Sequence, residues 1–150
     1  MGFFKNLMNK ITGGGAKVSI EFIEPHLRET FKVKIMVTAA DTDLKAAKIY
    51  LNIRSAEHTT TLSATDPDND STSTEEVSSQ VETYSTELVV AGGQTLKANE
   101  TYEWFKEISL PPSAMPTYHG KNVRHEWEFY AGIDVAGNDP DSGWVKVELF

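Results

Sequence analysis

From Lys17 onward, apolar and polar residues alternate with a period of two. Val18, Ile20 and Phe22 alternate with Ser19 and Glu21. Phe31, Val33, Ile35 and Val37 alternate with Lys32, Lys34, Met36 and Thr38, and Ile49, Leu51 and Ile53 with Lys48, Tyr50, Asn52 and Arg54. The clearest run sets Val123, His125, Trp127, Phe129, Ala131 and Ile133 against Arg124, Glu126, Glu128, Tyr130, Gly132 and Asp134. Successive side chains of a strand point to opposite faces, so each run predicts a strand with one face on a core and one toward water. Further strands are expected over residues 81–90, 102–110 and 144–150. Pro25, Asp41-Thr42-Asp43, Ala91-Gly92-Gly93, Pro111-Pro112 and Gly137-Asn138-Asp139-Pro140 supply the stops and turns between them. About seven to eight antiparallel strands with no crossover helix predict an all-β, immunoglobulin-like sandwich.

Two stretches break this rhythm. In residues 2–11 the apolar positions Phe3, Phe4, Leu7, Met8 and Ile11 fall on one face at helical spacing, with Lys5, Asn6, Asn9 and Lys10 opposite. The organisation expected is an amphipathic helix over residues 1–12, a Gly-rich hinge over 13–16 and the sandwich over 17–150. The second stretch, residues 63–80, is rich in Ser, Thr, Asp and Glu and contains Pro67, which predicts a polar acidic loop. A ten-residue helix is too short to be stable alone, so its apolar face is predicted to dock. The surfaces open to it are the sheet of its own domain, a protein partner or second copy of the chain, and a membrane interface approached peripherally with Lys5 and Lys10.

Charge narrows the partners. The 150 residues carry a net charge of -8. Residues 1–60 hold nine Lys/Arg against six Asp/Glu, and residues 61–150 hold five against sixteen. An acidic chain repels a phosphate backbone, so nucleic acid is excluded as an expected partner. There is no cysteine, which removes disulfides, thiolate metal sites and a cysteine nucleophile and suits a cytoplasmic location. No apolar run reaches the roughly 20 residues of a membrane span. Phe3 and Phe4 are followed at once by Lys5 and Asn6, so no secretory signal is read, and Asn6 stands where a myristoylation signal needs Ser or Thr.

The second half of the chain carries a family likeness. A strand ending in Leu110-Pro111, the loop Pro116-Thr117-Tyr118-His119-Gly120 and the strand containing Trp127-Glu128-Phe129 resemble the corresponding places of the arrestin-like domain. The opening Met-Gly-Phe-Phe-Lys, the Gly-rich joint and the strand beginning Ala16-Lys17-Val18 are similar to the bacterial sporulation-control arrestin-like proteins. Departures are specific. Arrestins carry two sandwiches in tandem, and 150 residues have room for one. Leu27-Arg28-Glu29 replaces a frequent Pro-Gly-Glu, and no counterpart of the phosphate-sensing lysines can be matched. The resemblance implies a scaffold or adaptor that binds proteins.

Candidate chemistry is sparse. Asp66, Asp68 and Asp70 alternate like the first half of a calcium loop, but Ser71 stands where that loop needs its turning Gly and Val77 where it needs a bidentate Glu. A solvated acidic loop is therefore expected, with no metal site and no cofactor. Asp134, Asn138, Asp139 and Asp141 read as a turn. His26, His58, His119 and His125 show no metalloprotease spacing, and His125 falls on the apolar side of its strand. Residues 13–18 lack the Gly-Lys-Ser/Thr ending of a phosphate loop, and no serine sits in a nucleophile elbow. Trp104, Trp127 and Trp144 invite a carbohydrate platform, although Trp127 lies on the core stripe. The function expected is a non-catalytic, arrestin-like protein-interaction module; the alternative is a ligand- or carbohydrate-binding accessory sandwich domain; an enzyme comes third.

Overall fold

The computed structural model describes residues 15–63 and 75–150. The expected N-terminal helix, with Phe3, Phe4, Leu7, Met8 and Ile11, lies outside the described residues, as do Asp66, Asp68 and Asp70. Ten strands are found among the described residues: β1 (Ala16–Ile23), β2 (Phe31–Ala39), β3 (Leu44–Ala46), β4 (Lys48–Ser63), β5 (Glu75–Ala91), β6 (Gln94–Leu96), β7 (Thr101–Ile108), β8 (Tyr118–His119), β9 (Val123–Asp134) and β10 (Val145–Val147). A three-stranded sheet runs β1-β2-β7 and a five-stranded sheet runs β10-β9-β4-β5, with β8 also on β9. β3 and β6 form a small pair. All pairings between named strands are antiparallel.

The period-two stripes do what their chemistry requires. Val33, Ile35 and Val37 of β2, Ile49, Leu51 and Ile53 of β4, and Trp127, Phe129, Ala131 and Ile133 of β9 are buried in one core between the two sheets. The layers meet through aromatic contacts: Phe22 of β1 stands edge-on to Phe129 of β9 at 5.0 Å between centroids, and Phe31 of β2 lies 6.3 Å from the same ring. Such edge and tilted geometries suit the ring quadrupoles. The result is the expected all-β antiparallel sandwich.

Three differences from the sequence pattern bear on function. The polar stretch expected as loop over 63–80 is already strand from Glu75, and β4 continues to Ser63. Here strand pairing follows from backbone bonding to β4, with no apolar stripe to announce it. The 144–150 strand shrinks to three residues. Leu149 nonetheless stays buried, with its carbonyl accepting from Thr117 N at 2.8 Å and its N–H donating to Thr117 Oγ1 at 2.9 Å. β3, β6 and β8 were not anticipated, because two- and three-residue strands are too short to carry a period.

Candidate functional site

The longest element is the β4–β5 hairpin, paired from Ile49 opposite Ala91 to Ser63 opposite Glu75. β4 is central, with β9 on its other side as far as Thr59 opposite Val123. Among the described residues β5 is bonded to β4 alone and forms an edge of the sheet. Directly opposed residues share a face, so Val77, Ser79 and Val81 continue the core-facing side marked by the buried Ser55 and His125. Yet Val77 is 48% and Val81 60% exposed. The end of the hairpin thus extends past the cover of the second sheet and presents a core-type face to solvent.

Backbone direction on this overhang can be read from one bond. Thr60 N donates to the Asn122 carbonyl at 2.8 Å, so Thr60 bonds toward β9 and away from β5. In an antiparallel ladder a residue directs its N–H and C=O to the same side, and neighbours alternate. Residues Glu76, Ser78, Gln80 and Glu82 therefore turn their backbone groups toward the open edge, while Val77, Ser79 and Val81 bond to β4. Further along, register shifts between Ile49 and Tyr50 and between Ser55 and Ala56 mark bulges in β5 near Val90 and Thr83. The Thr83 bulge is fixed from inside. Its hydroxyl lies 2.6 Å from Ser55 Oγ and 2.7 Å from His125 Nε2. Pro116 offers only a carbonyl to His125 Nδ1 at 3.0 Å, so in the neutral ring Nδ1 carries the proton and Nε2 accepts from Thr83.

The Pro116–Gly120 motif now has a physical role. Trp127 Nε1 donates to the Met115 carbonyl at 2.8 Å, Tyr118 stacks on His125 at 6.3 Å, and Gly120 N donates to the Val123 carbonyl at 2.7 Å in a tight return. A Cβ at Gly120 would lie 2.8 Å from that carbonyl oxygen, so only glycine fits. This loop closes the core beside the base of the overhang, with Tyr118 Oη donating to Glu57 at 3.1 Å. His125 is thereby a structural, fully hydrogen-bonded core histidine.

A second feature lies on the outer face of the five-stranded sheet. Trp144, 39% exposed, carries the Arg54 guanidinium 3.7 Å over its ring and contacts Tyr130 at 5.2 Å. Arg54 also binds Glu128 at 2.9 Å. Tyr50 stacks on Tyr130, and its hydroxyl donates to Asp139 at 2.9 Å. Burial pushes both phenols up in pKa, Tyr130 to about 12, with Asp141 and Asp139 as the next causes at Tyr130 and Tyr50 respectively. Asp139 and Asp141 otherwise accept from the backbone N–H of Val135 and Gly143, which is turn chemistry. Of the other tryptophans, Trp127 is in the core and Trp104 is part-buried, stacked on Tyr102. Among the described residues no three His, Asp or Glu side chains converge as metal ligands. Sequence reasoning missed the Arg54–Trp144 contact and the open edge. The only signal for the edge was the absence of Pro and Lys from residues 75–91.

The chain is similar to the crystal structure of Spo0M, a sporulation control protein from Bacillus subtilis, with a TM-score of 0.62 and 16% sequence identity. The match covers 91% of this chain and 49% of that one, so the chain spans about half the length of the protein it matches. At this identity the likeness is one of fold, the arrestin-like sandwich. No family model matches the chain, and no curated protein matches it in sequence.

Proposed function

We propose that the chain is a non-catalytic protein-interaction module of the cytosol that takes up an extended segment of a partner along the free edge of β5. One observation carries this reading. Among the described residues, the overhang turns backbone groups without a strand partner outward and leaves Val77 and Val81 exposed beside them. An added strand gains main-chain hydrogen bonds from such an edge and side-chain contacts from the alternate positions. The apolar stripe Phe3, Phe4, Leu7, Met8 and Ile11 stands in this reading as a second docking element. A carbohydrate-binding reading draws on Trp144, Tyr130 and Tyr50, but Arg54 already covers one Trp144 face and the two tyrosines stack on each other. The rings are spent on internal contacts.

Parallel arrays of extended peptides and of glycans, probed with the full chain, separate the two. The expected result is capture by peptides, lost in Gln80→Pro, and no glycan signal. Specific glycan binding that disappears in Trp144→Ala, with no peptide captured, would overturn the proposal.

A further inference from the structure

We infer that the partner segment is a basic strand, and that the same charges which select it keep two copies of this chain from pairing edge to edge. The inference rests on the strand-addition reading above and names its partner. The usable edge is short. β7, one of the two edges of the other sheet, is blunted by Lys106, which shares the core-facing side with Trp104 and Ile108. β5 itself is broken by the bulges near Thr83 and Val90, which interrupt a regular ladder. Residues 75–82 are left, with no Pro, no Lys and no bulge.

Their charge is of one sign. β5 carries four glutamates and no basic residue. Glu76 and Glu82 lie on the same outer face as Ser78 and Gln80, at the positions whose backbone groups open to the edge. A strand bonded there places its own residues directly opposite them, where unlike charges attract and like charges repel. A segment alternating an apolar residue with Lys or Arg meets both sets at once: the apolar residues face Val77 and Val81, and the cations face Glu76 and Glu82.

A second copy fails the same test. The antiparallel self-pairing centred on Ser79 brings outward-bonding residues opposite outward-bonding residues and sets Val77 against Val81. It also sets Glu76 of each copy against Glu82 of the other. The apolar match that would favour a dimer is thus opposed by two like-charge pairs.

The test uses the full chain and three eight-residue peptides in which valine alternates with lysine, serine or glutamate. Titration calorimetry at low salt is expected to rank them lysine, serine, glutamate, with lysine about tenfold tighter than serine. The double variant Glu76→Lys/Glu82→Lys is expected to reverse that order. Glu82→Lys alone turns both self-pairs into Glu–Lys pairs and is expected to raise self-association in sedimentation, reversed by adding Gln80→Pro. Equal binding of all three peptides, abolished by Gln80→Pro, would overturn the basic-strand inference while leaving strand addition standing. No binding of any peptide, or binding indifferent to Gln80→Pro, would overturn both. Circular dichroism of each variant separates loss of binding from loss of fold.

Discussion

Gly132 and Tyr50 show how one residue type licenses another. A Cβ at Gly132 would lie 2.3 Å from the Tyr50 hydroxyl, so the missing side chain lets the phenol lie across the strand and reach Asp139. Tyr50 and Tyr130 are consequently held neutral well above their ordinary value of 10.0. A raised folded-state value contributes stability that is whole below the unfolded value and is lost as pH rises through the folded one. Between about pH 10 and 12 the unfolded chain releases protons that the folded chain retains, so stability is expected to fall across that window. Phenolate absorbance should show Tyr50, Tyr118 and Tyr130, three of the five tyrosines, titrating late, and Tyr130→Phe should remove the one near 12. None of these partners was legible in the sequence, because Tyr50 and Asp139, or Arg54 and Trp144, stand far apart along the chain and meet only through strand pairing. His125 was legible as a core residue from its place on the apolar stripe; its partner Thr83, 42 residues away, was not.

The strands divide by what holds them. In β2, in β4 from Ile49 to Ser55 and in β9 from His125 to Ile133, the alternating stripe both predicts and stabilises the element, since every second residue enters the core. The outer part of β5 has no such support, which is why its Ser- and Glu-rich sequence reads as loop. Two substitutions measure the contrast by chemical denaturation. Leu51→Ala, at a fully buried position in β4, is expected to cost about 2–5 kcal/mol. Val77→Ala, on the exposed overhang, is expected to change stability by less than about 0.5 kcal/mol. A large loss at Val77 would mean that the overhang belongs to the folding core and is not a surface kept for a partner.

Across the molecule, the pairings that build the sandwich join distant parts of the chain: Lys48 of β4 opposite Asp134 of β9, and Phe31 of β2 opposite Ile108 of β7. Loop closure must precede these contacts, so folding is expected on the millisecond-to-second scale of non-local β proteins. Stopped-flow fluorescence of the buried Trp127 measures it; completion within microseconds would contradict the topology. The same arrangement sets a schedule for synthesis. About 60 residues separate the end of β4 from the start of β9. At roughly 5–20 residues per second, a ribosome leaves Ile49, Leu51 and Ile53 without β9 for about three seconds or more. β5 follows β4 directly and is the first neighbour able to pair with it, and it arrives with four glutamates. The acidic hairpin is therefore expected to be the first pairing open to β4, well before the core it will border exists.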